Sequence, residues 1–282
     1  MQFSGKKITN SKKYEKSESE FSGWLNEIKE KNNTYFEAIT EIMPIFYRFS
    51  KKHDHKKTIL ALLSFHTHLA TLKNSIIDLS DTGDIYSAKA LYRIYLEHWM
   101  KGVYIWIRYI SEKNDDVGVE YISLGKIGEE LKYGNSIKQV SAILDAETKN
   151  LDVWDVLCKF DPRLKKINKK EIIENTKKFE YKSIAKYLSD NKAPGADLIS
   201  IIIPEYSELS SYVHGGPGAT EEYARLYSGQ FEEYRGMIRF SFNTCRAFSY
   251  SLFILMLKDI NKQEKEKLLP LLYKLQNKEE MV

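Results

Sequence analysis

The stretch Ile85–Arg108, IYSAKALYRIYLEHWMKGVYIWIR, constrains this chain more than any other. Placed on a helix, its apolar side chains point in nearly every direction, among them Ala88, Leu91, Tyr92, Tyr95, Leu96, Trp99, Val103 and Ile107. A helix that is apolar all round is buried by other helices. One line of exceptions recurs every four residues: Lys89, Arg93, Glu97 and Lys101. Four residues are slightly more than one turn, so these heads form a shallow spiral along one side. That side is either the helix's window to water or the lining of a polar site.

The flanking patterns are helical too. Ile59, Leu62, Leu63, His66, Leu69, Leu72, Ile76 and Leu79 repeat at helical spacing, and Ser80–Asp84 reads as a turn with Asp84 as the next helix's N-cap. Before them, Phe21, Trp24, Leu25 and Ile28 form one helical pattern. Asn32-Asn33-Thr34 is expected to interrupt it, and Tyr35 to Phe49 to continue it, kinked at Pro44. Weaker patterns cover 117–133, 135–147 and 149–160. Ala193-Pro194-Gly195 precedes a helix over 196–213, and Thr220-Glu221-Glu222 opens a long one to about Ile260. No alternating run is long enough for a strand. The expectation is an all-α multi-helix bundle around a central buried helix at about 85–110. Residues 1–16 are expected to be a flexible basic arm and 17–282 a single helical domain, with 55–282 its core bundle. Trp24, Tyr35, Phe36 and Phe46 exceed what one amphipathic face needs, so residues 17–54 are expected to mediate a homodimer.

Charge is informative by its location. The net charge of +4 is matched by the arm alone, where five lysines meet only Glu15. Subtracting these from 43 basic and 39 acidic residues leaves 38 of each. A neutral body argues against a dedicated duplex-DNA binder, which rests on many phosphate contacts. Residues 161–182 hold eight basic and four acidic side chains, a solvated face and also the place to look for a nucleic-acid contact. Two cysteines give no disulfide framework and no metal spacing. No apolar signal segment is visible, and the longest uncharged apolar run, Ala247–Leu257, is 11 residues where a bilayer needs ~20. A cytoplasmic protein without membrane contact, metal or cofactor is expected.

Tyr206, Ser210 and His214 recur at i, i+4 and i+8, which puts them on one helix face with His214 in the last turn before Gly215-Gly216-Pro217-Gly218. A histidine there is favoured as a cation by the helix dipole, and it also satisfies loose carbonyls with no further role. The pattern A-x-x-L-x-R-x-x-x-E at Ala88, Leu91, Arg93 and Glu97, followed by Y-x-x-L-S-x-x-x-H-G at Tyr206–Gly215, resembles a large bacterial family of helical proteins. That family is known only as a domain of unknown function, with members near mobile elements and phage-defence genes. The resemblance covers about residues 55–257 and implies that Arg93, Glu97, Ser210 and His214 meet in space. Arg93 and His98 also match the R-x4-H spacing of HEPN ribonucleases, helical domains of toxins and abortive-infection systems. Ile94 stands where those motifs carry a polar residue, and on one helix Arg93 and His98 point roughly 140° apart. Arg93 with His214 is the better geometric pair.

Three functions fit. In the first, a metal-independent ribonuclease of a toxin or abortive-infection system, Arg93, Glu97 and His214 are catalytic, while Tyr206, Ser210, Lys89 and Lys101 bind RNA. In the second, a non-catalytic module binds a small ligand or a protein partner from a defence operon, and Arg93–Glu97 fixes helix register. The third is a helical nucleic-acid-binding regulator.

Overall fold

A computed structural model of the chain describes residues 11–144, 152–191, 196–214, 216, 219–220, 231–258 and 260–276. Every regular element among them is helical, as the patterning requires. The helices are α1 (Ser11–Ser50), α2 (Lys56–Asp81), α3 (Ile85–Glu112), α4 (Gly125–Ile143), α5 (Val153–Phe160), α6 (Lys169–Lys178), α7 (Tyr181–Asp190), α8 (Ala196–Val213), α9 (Glu232–Leu257) and α10 (Lys262–Gln276). A helical turn at Asp116–Gly118 and a π-helix at Val119–Leu124 lead into α4, and a 3-10 turn at Pro162–Lys166 follows α5.

The residues gather into two compact units. The first takes 1–49, 64–99 and 201–282; the second takes 50–63 and 100–200. Three of the four boundaries fall inside α2, α3 and α8, where no loop or change of composition marks them, and the fourth falls at the end of α1. That is why patterning treats 17–282 as one body. Of the expected basic arm, residues 11–16 belong to α1, and 1–10 lie outside the described residues. The expected breaks at Lys149-Asn150 and Ala193-Pro194-Gly195, and the start of the last long helix at 220–222, fall wholly or partly outside them too.

In the first unit α1 runs unbroken through Asn32-Asn33-Thr34. Asn32 is buried and donates to Asn74 Oδ1 at 3.0 Å, while Thr34 turns its hydroxyl back onto the Glu30 carbonyl at 3.3 Å. Partners on α2 thus override a weak local preference for a turn. The aromatics expected at a dimer face are mostly used inside this unit. Phe46 is fully buried and stacks on Phe253 at 4.7 Å, Tyr35 is buried, and Trp24 faces the guanidinium groups of Arg235 and Arg239. Phe36 alone of the four is more than half exposed, at 52%. On α3, Tyr95 donates to the Ser241 carbonyl at 2.8 Å, and Trp99 meets Phe240 edge-on. The α2–α3 turn is built as its sequence suggests: Gly83 takes φ +76°, and Asp84 accepts from the Ser87 amide at 3.1 Å.

In the second unit Asp115 caps α2 from a distance, accepting from the Lys57 and Thr58 amides at 3.1 and 2.7 Å. Gly118 then presses against that helix end so closely that a Cβ would lie 2.1 Å from the Thr58 nitrogen. Only glycine fits there.

Candidate functional site

In the first unit the polar line of α3 meets α8. Arg93 Nη2 donates to the Tyr206 hydroxyl at 2.9 Å, and that hydroxyl donates to Glu97 Oε2 at 3.4 Å. Arg93 Nη1 stands 3.9 Å from the same carboxylate oxygen. Arg93 and Glu97 reach one point because they are a turn apart, and a phenol joins them because it both donates and accepts. The Arg93 guanidinium also lies 4.8 Å from the centre of the Tyr206 ring. A turn earlier, Lys89 sits 5.6 and 5.5 Å from the Tyr212 and Tyr234 ring centres. The Tyr92 hydroxyl bonds to Glu205. Loss of solvent pushes the Glu205 carboxyl pKa up, with Glu208 adding to this and Tyr92 and Lys89 opposing it. Tyr86 donates to the Val213 carbonyl at 3.3 Å. Residues 86 and 93 thus pair with 213 and 206, so α3 and α8 run antiparallel.

That register governs His214. It lies eight residues beyond Tyr206, about 12 Å along the helix axis. Its backbone amide bonds to the Ser210 carbonyl at 3.2 Å, and its side chain is exposed. Among the described residues no hydrogen bond or ion pair joins its ring to Arg93 or Glu97. The structure therefore brings together Arg93, Glu97 and Tyr206, with Lys89 nearby. Ser210 is half-buried one turn beyond Tyr206, and Lys101 falls in the second unit. His98 bonds its Nδ1 to the Ile94 carbonyl at 2.9 Å and meets His68 edge-on at 5.3 Å. Among the described residues no group of His, Cys, Asp or Glu is arranged to hold a metal ion. No helix there is long and apolar enough to cross a membrane.

The second unit holds an arrangement that motif spacing does not announce. Arg108, almost fully buried, forms a two-bond fork to Glu112 at 2.6 and 3.0 Å and reaches Glu120 Oε2 at 2.5 Å. Lys178 closes the network on Glu120 Oε1 at 2.7 Å. Burial alone would raise the Glu120 pKa; the hydrogen bonds from Lys178 and Arg108 outweigh it and hold the carboxyl below its usual range. Burial opposes the charge on Arg108, and its hydrogen bonds to Glu112 and Glu120 outweigh that and hold it protonated. Beside this network opens a cleft of about 420 Å³, lined by Tyr104, Arg108, Glu112 and Lys178. Ser183, Lys186, Tyr187 and Asp190 of α7 complete the lining. The Tyr104 and Tyr187 rings meet at right angles, 5.1 Å apart.

A family described as of unknown function, DUF5677, matches residues 59–231. The chain belongs to this family. Neither a curated protein nor a solved structure matches the chain. The DUF5677 span contains both motifs that carry the family resemblance, Ala88–Glu97 and Tyr206–Gly215, and it also contains the Arg108 network and the whole lining of the cleft. Two signals in this DUF5677 chain point to the second site. Arg108–Glu112 repeats the R-x-x-x-E spacing of Arg93–Glu97, and Lys178 belongs to the basic segment 161–182.

Proposed function

We propose that this DUF5677 protein is a non-catalytic helical module that binds a small ligand in the cleft of its second unit. The observation that carries the reading is the Arg108–Glu112–Glu120–Lys178 network, built on a buried Arg108, beside an open cleft. Two cations and two carboxylates satisfy one another, so they hold the cleft's shape without needing a ligand to be stable. The volume falls within the range of small-molecule sites, and the half-buried Tyr187 ring, backed by the buried Tyr104, supplies apolar surface. Arg93, Glu97 and Tyr206 act in this reading as a clasp that fixes the register of α3 against α8. A protein partner from a defence system would then respond to the ligand-bound form.

A second reading, a metal-independent ribonuclease, draws on one observation. The His214 ring is exposed at the end of α8, where a general acid or base is accessible to RNA. Arg93 already donates to the Tyr206 hydroxyl at 2.9 Å, which weakens that reading.

The test is a screen of small aromatic fragments against the full chain by ligand-observed NMR, repeated with Tyr187→Ala, alongside an RNA-cleavage assay. Fragments that bind wild type and lose their signal with Tyr187→Ala support the module. Cleavage of RNA by wild type that His214→Ala abolishes, with the melting temperature unchanged, transfers the assignment to the ribonuclease.

A further inference from the structure

What the cleft leaves unpaired narrows its ligand. Arg108 and Lys178 are matched by Glu112 and Glu120, so the wall behind the cleft carries no net charge. Ser183, Lys186, Tyr187 and Asp190 of the lining stand at i, i+3, i+4 and i+7, on one face of α7. Among the described residues, the Lys186 ammonium and the Asp190 carboxylate make no ion pair. The Ser183 and Tyr187 hydroxyls make no hydrogen bond there either. Lys178 spends one N–H on Glu120 and keeps two. The donors in the lining are thus Lys178, Ser183 and Lys186, and the unpaired acceptor, Asp190, ends α7 one turn past Lys186. Ser183 and Asp190 are separated by roughly 10 Å of helix. The half-buried Tyr187 ring, held edge-on to Tyr104, lies between them.

From this arrangement we infer that the cleft takes a nucleoside monophosphate. The inference rests on reading the cleft as the ligand site. The phosphate is met by Lys186, Ser183 and the remaining N–H groups of Lys178, and the base lies against Tyr187. An amine on the base then donates to Asp190. One uncompensated cation limits the charge of the ligand: a triphosphate would bring more negative charge than Lys186 offsets, with the unpaired Asp190 one turn away. A bare phosphate would leave the tyrosine surface wet, and a nucleoside would leave Lys186 without a counter-charge.

Calorimetric titration of the full chain with AMP, adenosine, inorganic phosphate and ATP tests it. AMP is expected to bind at least about tenfold tighter than the other three. Lys186→Gln, at an exposed position, is expected to bring AMP down to the level of adenosine with no change in melting temperature. Equal affinity for AMP and adenosine, tighter binding of ATP, or indifference to Lys186→Gln overturns the proposal. If AMP does not bind but aromatic fragments still lose their NMR signal with Tyr187→Ala, the ligand class is wrong and the cleft reading stands. If no small molecule is sensitive to Tyr187→Ala, both fall.

Discussion

Lys73 buries its ammonium group 4.0 Å above the centre of the Tyr35 ring, with no exposed surface and no carboxylate paired to it among the described residues. Its hydrogen bond goes to Asn32 Oδ1, and the Phe242 ring and the Arg246 and Cys245 side chains complete its surroundings. Burial depresses its pKa to about 8, with Cys245 opposing and Arg246 adding to the shift. Between pH 8 and the ordinary lysine value of 10.5 the unfolded chain binds the proton and the folded chain does not, so stability from this residue rises with pH. Lys73→Met removes the buried charge, and urea unfolding should show the variant's advantage over wild type shrinking as pH rises from 7 to 9.5. A constant difference across that range would contradict this.

His66 titrates in the opposite sense. Burial, aided by the charge on Lys73, lowers its pKa to about 3, so it stays neutral while accepting or donating to the Tyr35 hydroxyl at 3.3 Å. An unfolded histidine takes a proton below pH 6.5, so stability is lost as pH falls from 6.5 towards 3. The acid limb of a stability-versus-pH curve should be shallower for His66→Gln than for wild type, whatever the two proteins' stabilities at neutral pH.

Removing Arg108 leaves Glu112 and Glu120 facing each other without their shared cation. Arg108→Ala is expected to destabilise by about 3 kcal/mol. Arg108→Lys should recover only part of this, because an ammonium cannot supply the two-bond fork to Glu112. Chemical denaturation of the two variants, with Glu120→Gln for comparison, measures both effects.

Tyr206→Phe keeps the ring under Arg93 and deletes only the hydroxyl that joins Arg93 to Glu97. A loss of about 1 kcal/mol is expected, smaller in the Glu97→Gln background where the hydroxyl's charged acceptor is already gone. Additive losses in that double-mutant cycle would mean that Tyr206 and Glu97 do not act together.

Some of this was legible in the sequence for local reasons. The bounds of α3 follow from apolar residues on every side, and the Asp84 cap from a side chain that bonds three residues on. Arg93 and Glu97 announce a need for a partner, and the face of Tyr206 supplies it. His214 shares that face, but a shared face extends along a helix axis, and eight residues separate it from Tyr206. Asn32 reads as a helix breaker because its partners lie some forty residues away on α2. The cleft draws on 104–112, 178 and 183–190, three segments with no spacing in common, so it exists only once the chain is folded.

The π-helix at Val119–Leu124 carries Glu120 into the Arg108 network. A π turn accommodates one more residue than an α turn, and such insertions in helices often accompany functional sites. Evolution can therefore switch this site by length as well as by chemistry. Deleting one residue from 121–124 would let an ordinary α-helix form without a break. It would also turn Glu120 by roughly 100° relative to Asn175, which bonds its carbonyl, and to Lys178, which bonds its carboxylate. A relative with that shorter segment would keep every residue type of the network and lose the network itself.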